Sequence, residues 1–238
     1  MKKKCDPPLS RREHEGTMFQ ELDLILPDMP LDGPMQMALD EILLERVIRP
    51  TFRIYRWSAP WVTFGYFQNE EAARRRWPHL PRVRRWSGGG MVLHGEDLTF
   101  SLLFPAGEPA ARIPAAEFYR RLHALMAEAL LPLLGGGVAL AGSDEVRSGE
   151  ACFSSPSRDD LILHGKKVLG GAQRRRGGAL LYQGSLQDPS AERIDPRDFA
   201  RALCGRIGSV SGIPREIVPV SAELAGEKYR TVAWNGRR

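Results

Sequence analysis

Three short segments of the 238-residue chain bring together residue types that can do chemistry. The first runs Arg84-Arg85-Trp86-Ser87-Gly88-Gly89-Gly90-Met91-Val92-Leu93-His94. Three consecutive glycines remove every side chain, so backbone N–H groups can come close to a phosphate or to an acyl carbonyl and its chain. The segment lacks the Gly-Lys-Ser/Thr of a Walker A loop and the spacing of a dinucleotide fingerprint. The second is Ala151-Cys152-Phe153-Ser154-Ser155-Pro156-Ser157, a thiol ahead of a small polar turn. As a nucleophile, Cys152 needs a cation, a helix N-terminus or a base to lower its pKa. The third is Gly165-Lys166-Lys167-Val168-Leu169-Gly170-Gly171-Ala172-Gln173. On an alternating strand one of Lys166 and Lys167 must face inward, where an ammonium needs an anionic or carbonyl partner. Each segment also has a plain structural reading: a hairpin turn, an inert buried thiol and a charged turn respectively.

Other chemistries find less support. The five histidines, at 14, 79, 94, 123 and 164, show no HExxH spacing and no clustered cysteines, so no metal set is read. No GxSxG elbow is present. Three cysteines (5, 152 and 204) in a chain this size do not make a disulfide framework. Cys204 lies in an apolar helical pattern and reads as a small buried hydrophobe.

The elements that must position these segments can be read from periodicity. Residues 1–17 are polar and read as a loose tail, with one sizeable globular domain over 18–238. Phe19 to Leu26 suggests a strand. Asp32-Gly33-Pro34 starts an amphipathic helix over 33–47, with Met35, Leu39, Ile42, Leu43 and Val47 at helical spacing. Phe52–Tyr55 and Trp61–Phe64 read as two strands around the Ser58-Ala59-Pro60 turn. A Gly-rich bend joins RVRRWS to LTFSLLF. A helix from Ala115 to Leu134 is stopped by Gly135-Gly136-Gly137. Residues 160–186 form a β-meander, turning at His164-Gly165 and Arg176-Gly177-Gly178. Asp195-Pro196 opens a helix running to about Ile207, and Ser221 reads as the cap of a last one. Hairpins with separate helices predict an α+β fold, a mainly antiparallel or mixed sheet flanked by helices.

The chain is basic, with 34 Lys+Arg against 29 Asp+Glu, a net charge of +5. The densest run, Arg74-Arg75-Arg76 with Arg82, Arg84 and Arg85, reads as a solvated face or as a surface for an acidic partner. No zinc-finger spacing or RNP aromatic box accompanies it, so no nucleic-acid partner is expected. No apolar stretch approaches the roughly 20 residues of a membrane span, and the basic start has no apolar run behind it. A cytoplasmic protein without membrane partners, monomeric by default, is the expectation.

Taken together, in this order and spacing, the segments resemble the superfamily of lipoate–protein ligases, biotin ligases and lipoyl-pathway octanoyltransferases. RRWSGGGMVLHGEDLTFSLLFP is similar to that family's Arg-Arg-x-Ser/Thr-Gly-Gly-Gly/Arg…His segment. GKKVLGGAQRRRGGALLYQGSL is similar to its Gly-x-Lys…Gly-Ser-Ala-Gln…His-Gly-Ser segment. MQMALDEILLER and YRWSAPWVTFGYFQN resemble its opening helix and adjacent strand pair. ACFSSPS resembles the Cys-Phe-x-x-Pro-Ser motif of octanoyltransferases that form an acyl-cysteine intermediate.

The resemblance implies the lipoate/biotin protein ligase catalytic-domain fold. It implies Cys152 and Lys167 as catalytic residues, with Arg84, Arg85, Ser87, Gly88, Gly89, Gly90, His94, Gly170, Gly171 and Ala172 binding the acyl substrate. The implied reaction moves octanoyl from acyl carrier protein to a lysine of a lipoyl-domain protein, such as glycine cleavage H protein or a dehydrogenase E2 subunit. No cofactor is implied, because the thioester is already activated. The alternatives are an ATP- and Mg-dependent lipoate–protein ligase, or an amidotransferase acting between lipoyl proteins. The sequence departs from the pattern at three places: Gly171 stands for Ser, Gln183 for His, and Gly95 for the Asp after His94.

Overall fold

A computed structural model describes residues 18–143 and 156–237. The expected tail over 1–17 and residues 151–155 of the Cys152 segment lie outside the described residues. The strands are β1 (Leu22–Ile25), β2 (Thr51–Tyr55), β3 (Trp61–Phe64), β4 (Arg82–Arg84), β5 (Val92–His94), β6 (Leu98–Phe104), β7 (Val138–Leu140), β8 (Leu161–Leu163), β9 (Lys166–Arg176), β10 (Ala179–Leu186) and β11 (Ile207–Ser211). The helices are α1 (Gly33–Arg46), α2 (Glu70–Arg76), α3 (Pro109–Arg112), α4 (Ala115–Leu130), α5 (Pro196–Cys204), α6 (Ile217–Leu224) and α7 (Val232–Asn235).

Eight strands form one mixed sheet in the order β11-β1-β2-β6-β10-β9-β8-β7, and β4-β3-β5 form a second, small sheet. Only the β1–β11 and β1–β2 pairs of the large sheet are parallel. Side chains alternate across each strand, and the two faces meet different helices. Phe52, Phe100, Leu102, Phe104, Leu180 and Tyr182 pack with Phe118, Leu122 and Met126 of α4 and Phe199 and Leu203 of α5. On the other face Leu103 and Leu181 meet Leu39, Ile42 and Leu43 of α1 and Ile217 of α6. The mixed sheet with flanking helices and the β8-β9-β10 meander are as the sequence pattern predicts.

Four details differ. The polar side of α1 is buried too, including Gln36, Asp40 and Glu41. This follows from its place between the large sheet and the C-terminal elements, where Asp40 pairs with Arg53 and Glu41 with Lys228. The segments around Ser58-Ala59-Pro60 do not form one hairpin: β2 pairs with β1 and β6, whereas β3 joins the small sheet. The helix opened by Asp195 stops at Gly205, whose φ of +69° suits a glycine C-cap, and Ile207 begins β11 instead. Ser221 does not cap a helix; it is buried within α6.

Candidate functional site

The two sheets face each other over a narrow cavity. Its walls include Met37, Tyr55 and Trp57 on one side, Thr63, Arg85, Gly89 and His94 from the small sheet and its loop, and Gly170, Gly171, Ala172 and Gln183 from the large sheet. The lining is mostly apolar and includes the unbranched, adaptable thioether of Met37.

The consecutive arginines part company at the end of β4, since successive side chains point to opposite faces. Arg85 turns toward the cavity. Its guanidinium donates to Thr63 Oγ1 at 2.6 Å and to the carbonyls of Gly88 and Gly90 at 2.9 and 2.7 Å, so it ties the glycine loop to β3. Arg84 is 1% exposed and points away. It donates to the carbonyls of Tyr66, Gln68, Trp234, Asn235 and Arg237, clasping the C-terminal turn. Burial pushes the Arg84 guanidinium down from its ordinary value. The pair therefore does not belong to a solvated basic face. Arg74 and Arg82 of the same run pair with Glu71 and Glu70.

His94 is held on three sides. Its ring stacks on Trp57 with centroids 4.2 Å apart, Nδ1 lies 2.8 Å from Asp97 Oδ2, and Nε2 lies 2.8 Å from Thr63 Oγ1. Arg85 has only donors, so the Thr63 hydroxyl oxygen accepts from it while also lying against Nε2. Burial pushes the Asp97 carboxyl up, but the His94 ring and the donating hydroxyls of Thr99 and Ser185 outweigh it and hold the group at about 2. Asp97 stands three residues beyond His94, not directly after it, and this is the carboxylate that orients the ring despite Gly95.

Gln183 occupies a junction. Its side-chain carbonyl accepts from the Ser87 hydroxyl at 2.6 Å, and its amide donates to Asp40 Oδ2 at 2.7 Å. Asp40 also accepts from Ser101 at 2.6 Å and pairs with Arg53 at 2.7 Å, with both charged side chains essentially inaccessible. The glycine loop is thereby connected through Ser87 and Gln183 to a buried ion pair beneath the cavity. Gly89, at φ +82°, takes a conformation that glycine adopts freely and brings the loop against Ala172.

Of the two lysines at the start of β9, Lys166 is exposed and Lys167 is 9% exposed. Lys167 Nζ lies 2.7 Å from Asp160 Oδ2. A Cβ on Gly170 would stand 2.6 Å from Lys167 Cε and 2.7 Å from its Nζ. The amine thus rests against the bare backbone of Gly170, which itself forms part of the cavity wall. The structure brings Arg85, Gly89, His94, Gly170, Gly171 and Ala172 to one cavity and Lys167 to its flank. Ser87, Gly88 and Gly90 lie in the adjoining loop, Arg84 behind it, and Cys152 outside the described residues.

Asp97, Asp160, Thr63, Trp57 and Gln183 were not among the sequence candidates for the site. A carboxylate three residues after His94 and another just before the β8 apolar run were the available signals. Cys204 is buried as expected: burial pushes its thiol up, and it donates to backbone carbonyls of Ala200 and Arg206. Among the described residues no group of three or more His, Cys, Asp or Glu is placed to hold a metal ion. Among the same residues no helix is long and apolar enough to cross a membrane.

Comparison with known proteins finds relatives in sequence and in fold. The model of the lipoyl protein ligase A/B catalytic domain matches residues 32–206. Octanoyltransferase LipM of Brevibacillus brevis is 36% identical over 264 residues, covering 86% of this chain and 95% of that protein. Octanoyltransferase LipM of Moorella thermoacetica is 36% identical over 169 residues, covering 65% of this chain and 61% of that protein's length. A bi-partite lipoate protein ligase from Thermoplasma acidophilum superposes with a TM-score of 0.66 at 22% identity, covering 92% of this chain and 98% of that chain. At that identity the likeness is one of fold.

Proposed function

The chain belongs to the lipoyl protein ligase A/B catalytic domain family, and on that premise we propose that it is an octanoyltransferase of protein lipoylation working through an S-acyl cysteine at Cys152. The Cys152 thiolate attacks the carbonyl of an octanoyl thioester on acyl carrier protein. The carrier's thiolate leaves and takes up a proton. The ε-amine of a lysine on a lipoyl-domain protein, such as an H protein or an E2 subunit, then attacks the acyl-enzyme. An amide forms, the amine loses a proton, and Cys152 is released as thiolate. Dividing the transfer lets two bulky partners use one site in turn.

The Lys167 ammonium stabilises the thiolate and the oxyanion that develops at the carbonyl. The Gly88–Gly90 loop, Gly170–Ala172, Arg85 and His94 surround the acyl chain, with Ser87 fixing the loop and Arg84 its base. The observation that carries the reading is the buried Lys167 against bare Gly170 backbone at the edge of an apolar-walled cavity. The relatives named octanoyltransferase add support from sequence.

The test is intact-mass spectrometry after incubation with octanoyl–acyl carrier protein without ATP, for wild type and Cys152→Ala. A hydroxylamine-labile gain of one octanoyl group in wild type alone is the expected result. No adduct, with acyl transfer to a lipoyl domain appearing only when ATP is added, would make the protein a ligase and Cys152 dispensable.

A further inference from the structure

Behind the cavity a second set of polar side chains is buried, and none of them takes part in the steps above. Asp160 precedes β8 and is inaccessible to solvent. Its carboxylate receives three donors from three parts of the chain: Lys167 Nζ at 2.7 Å from β9, the Tyr119 hydroxyl at 2.5 Å from α4, and the Ser157 backbone N–H at 2.5 Å. The Tyr119 oxygen accepts in turn from Gly171 N at 3.2 Å. One turn along α4, the His123 ring packs at a tilt of 31° against Tyr119, with centroids 3.9 Å apart. Its ring nitrogens engage the carbonyl of Asp159 at 2.7 Å and the Tyr182 hydroxyl at 2.6 Å. Asp159 is one of two non-glycine residues with positive φ among the described residues, at +67°. Such a backbone persists only where its surroundings hold it.

Two residues of α4 therefore grip two consecutive residues: His123 holds the strained turn at Asp159, and Tyr119 holds the carboxylate of Asp160. From this geometry we infer that Asp160 is a positioning residue for Lys167, and that Tyr119 on α4 sets where Asp160 points. An ammonium this deeply buried needs a fixed counter-charge to stay in place. The three donors leave the carboxylate one orientation, and that orientation places the amine on Gly170. The same carboxylate also anchors Ser157, five residues beyond Cys152 in the sequence. The inference rests on the acyl-transfer reading and adds the residues that aim its lysine.

The test uses the full-length protein with Asp160→Asn, Asp160→Glu and Tyr119→Phe, each shown to be folded at the assay temperature by circular dichroism. Single-turnover S-octanoylation is followed across pH, together with competitive acetylation of each lysine read by mass spectrometry. Titratable groups around Lys167 among the described residues include Asp160 and His123, with Tyr119 behind Asp160, and every group but the substituted one is common to each pair compared. Asp160→Asn is expected to slow acylation roughly a hundredfold, the scale of a misplaced acid–base group. It should also change the pH dependence of Lys167 acetylation while leaving that of exposed Lys166 unchanged. Asp160→Glu should restore part of the rate. Tyr119→Phe should lose about tenfold, the worth of a hydrogen bond to a charged group, in rate and not in KM. A folded Asp160→Asn protein with wild-type rate, pH profile and Lys167 labelling would overturn the inference and leave the pair purely structural. If wild type itself forms no acyl-enzyme, the transfer reading fails, and Lys167 labelling still decides whether Asp160 and Tyr119 control the amine.

Discussion

His123 makes the stability of this protein depend on pH in a calculable way. Its ring is buried between α4 and the Asp159 turn. Burial is the largest influence and pushes it down; the Asp159 carbonyl partly opposes this, and the nearby Lys167 charge adds to the lowering, from 6.5 to about 3. A folded-state value below the unfolded one means that the unfolded chain binds the proton first. The stability from a neutral His123 is thus complete above the unfolded value and is lost as pH falls from there toward the folded one. At about pH 5 the group is roughly 1.5 units below its unfolded value, and at ~1.36 kcal/mol per unit the loss is about 2 kcal/mol. With a urea dependence of ~2 kcal/mol/M, the midpoint falls by about 1 M between about pH 7 and about pH 5.

The assay is urea unfolding at both pH values for wild type and His123→Gln. Glutamine cannot take up the proton, so the substituted protein is expected to be less stable by ~1–3 kcal/mol at neutral pH, from disturbed hydrogen bonds. It should lose about 2 kcal/mol less than wild type on acidification. Every other titrating group is common to both proteins and cancels in the difference. Equal losses in the two proteins would refute the reasoning, because His123 would then bind its proton equally well folded and unfolded.

Three further outcomes follow from the same contacts. Gly171→Ser would place a Cβ 2.2 Å from the Tyr182 hydroxyl oxygen and 2.7 Å from the Gln183 carbonyl. It should destabilise by ~1–3 kcal/mol of overpacking in thermal unfolding, and Tyr182→Leu in the same chain should recover part of that. Asp40→Asn leaves Arg53 as an uncompensated buried charge and should cost about 3–5 kcal/mol in urea unfolding; a loss under ~1 kcal/mol, the size expected of an exposed pair, would count against the buried network. Gln183→Leu removes one of the two donors to Asp40 Oδ2, leaving Ser101, and takes the acceptor from the Ser87 hydroxyl. It should cost ~2 kcal/mol of stability and speed amide hydrogen exchange in the Ser87–Gly90 loop; unchanged exchange there would mean that Gln183 does not hold the loop.

Much of this protein was legible in the sequence, because local rules act within a few residues. Asp32 accepts from Met35 N and starts α1 where the Asp-Gly-Pro signal places it. The meander of β8, β9 and β10 follows from alternation and glycine turns. The same alternation predicts one inward and one outward lysine at the start of β9. The glycine run and the order of the four segments were enough to indicate the family.

Only the tertiary structure decided which charges were buried and what each was for. Arg84 and Arg85 read alike in the chain, yet one clasps the C-terminal turn and the other ties the glycine loop to β3, because β4 sends adjacent side chains to opposite sides. Asp40 looked like the polar face of an amphipathic helix until the large sheet brought Arg53 under it. Asp97 takes up His94 three residues away, and Asp160 meets Lys167 and Tyr119 across separations of 7 and 41 residues. Pairings of this kind answer to burial, since a charge removed from water must find its partner wherever the fold supplies one.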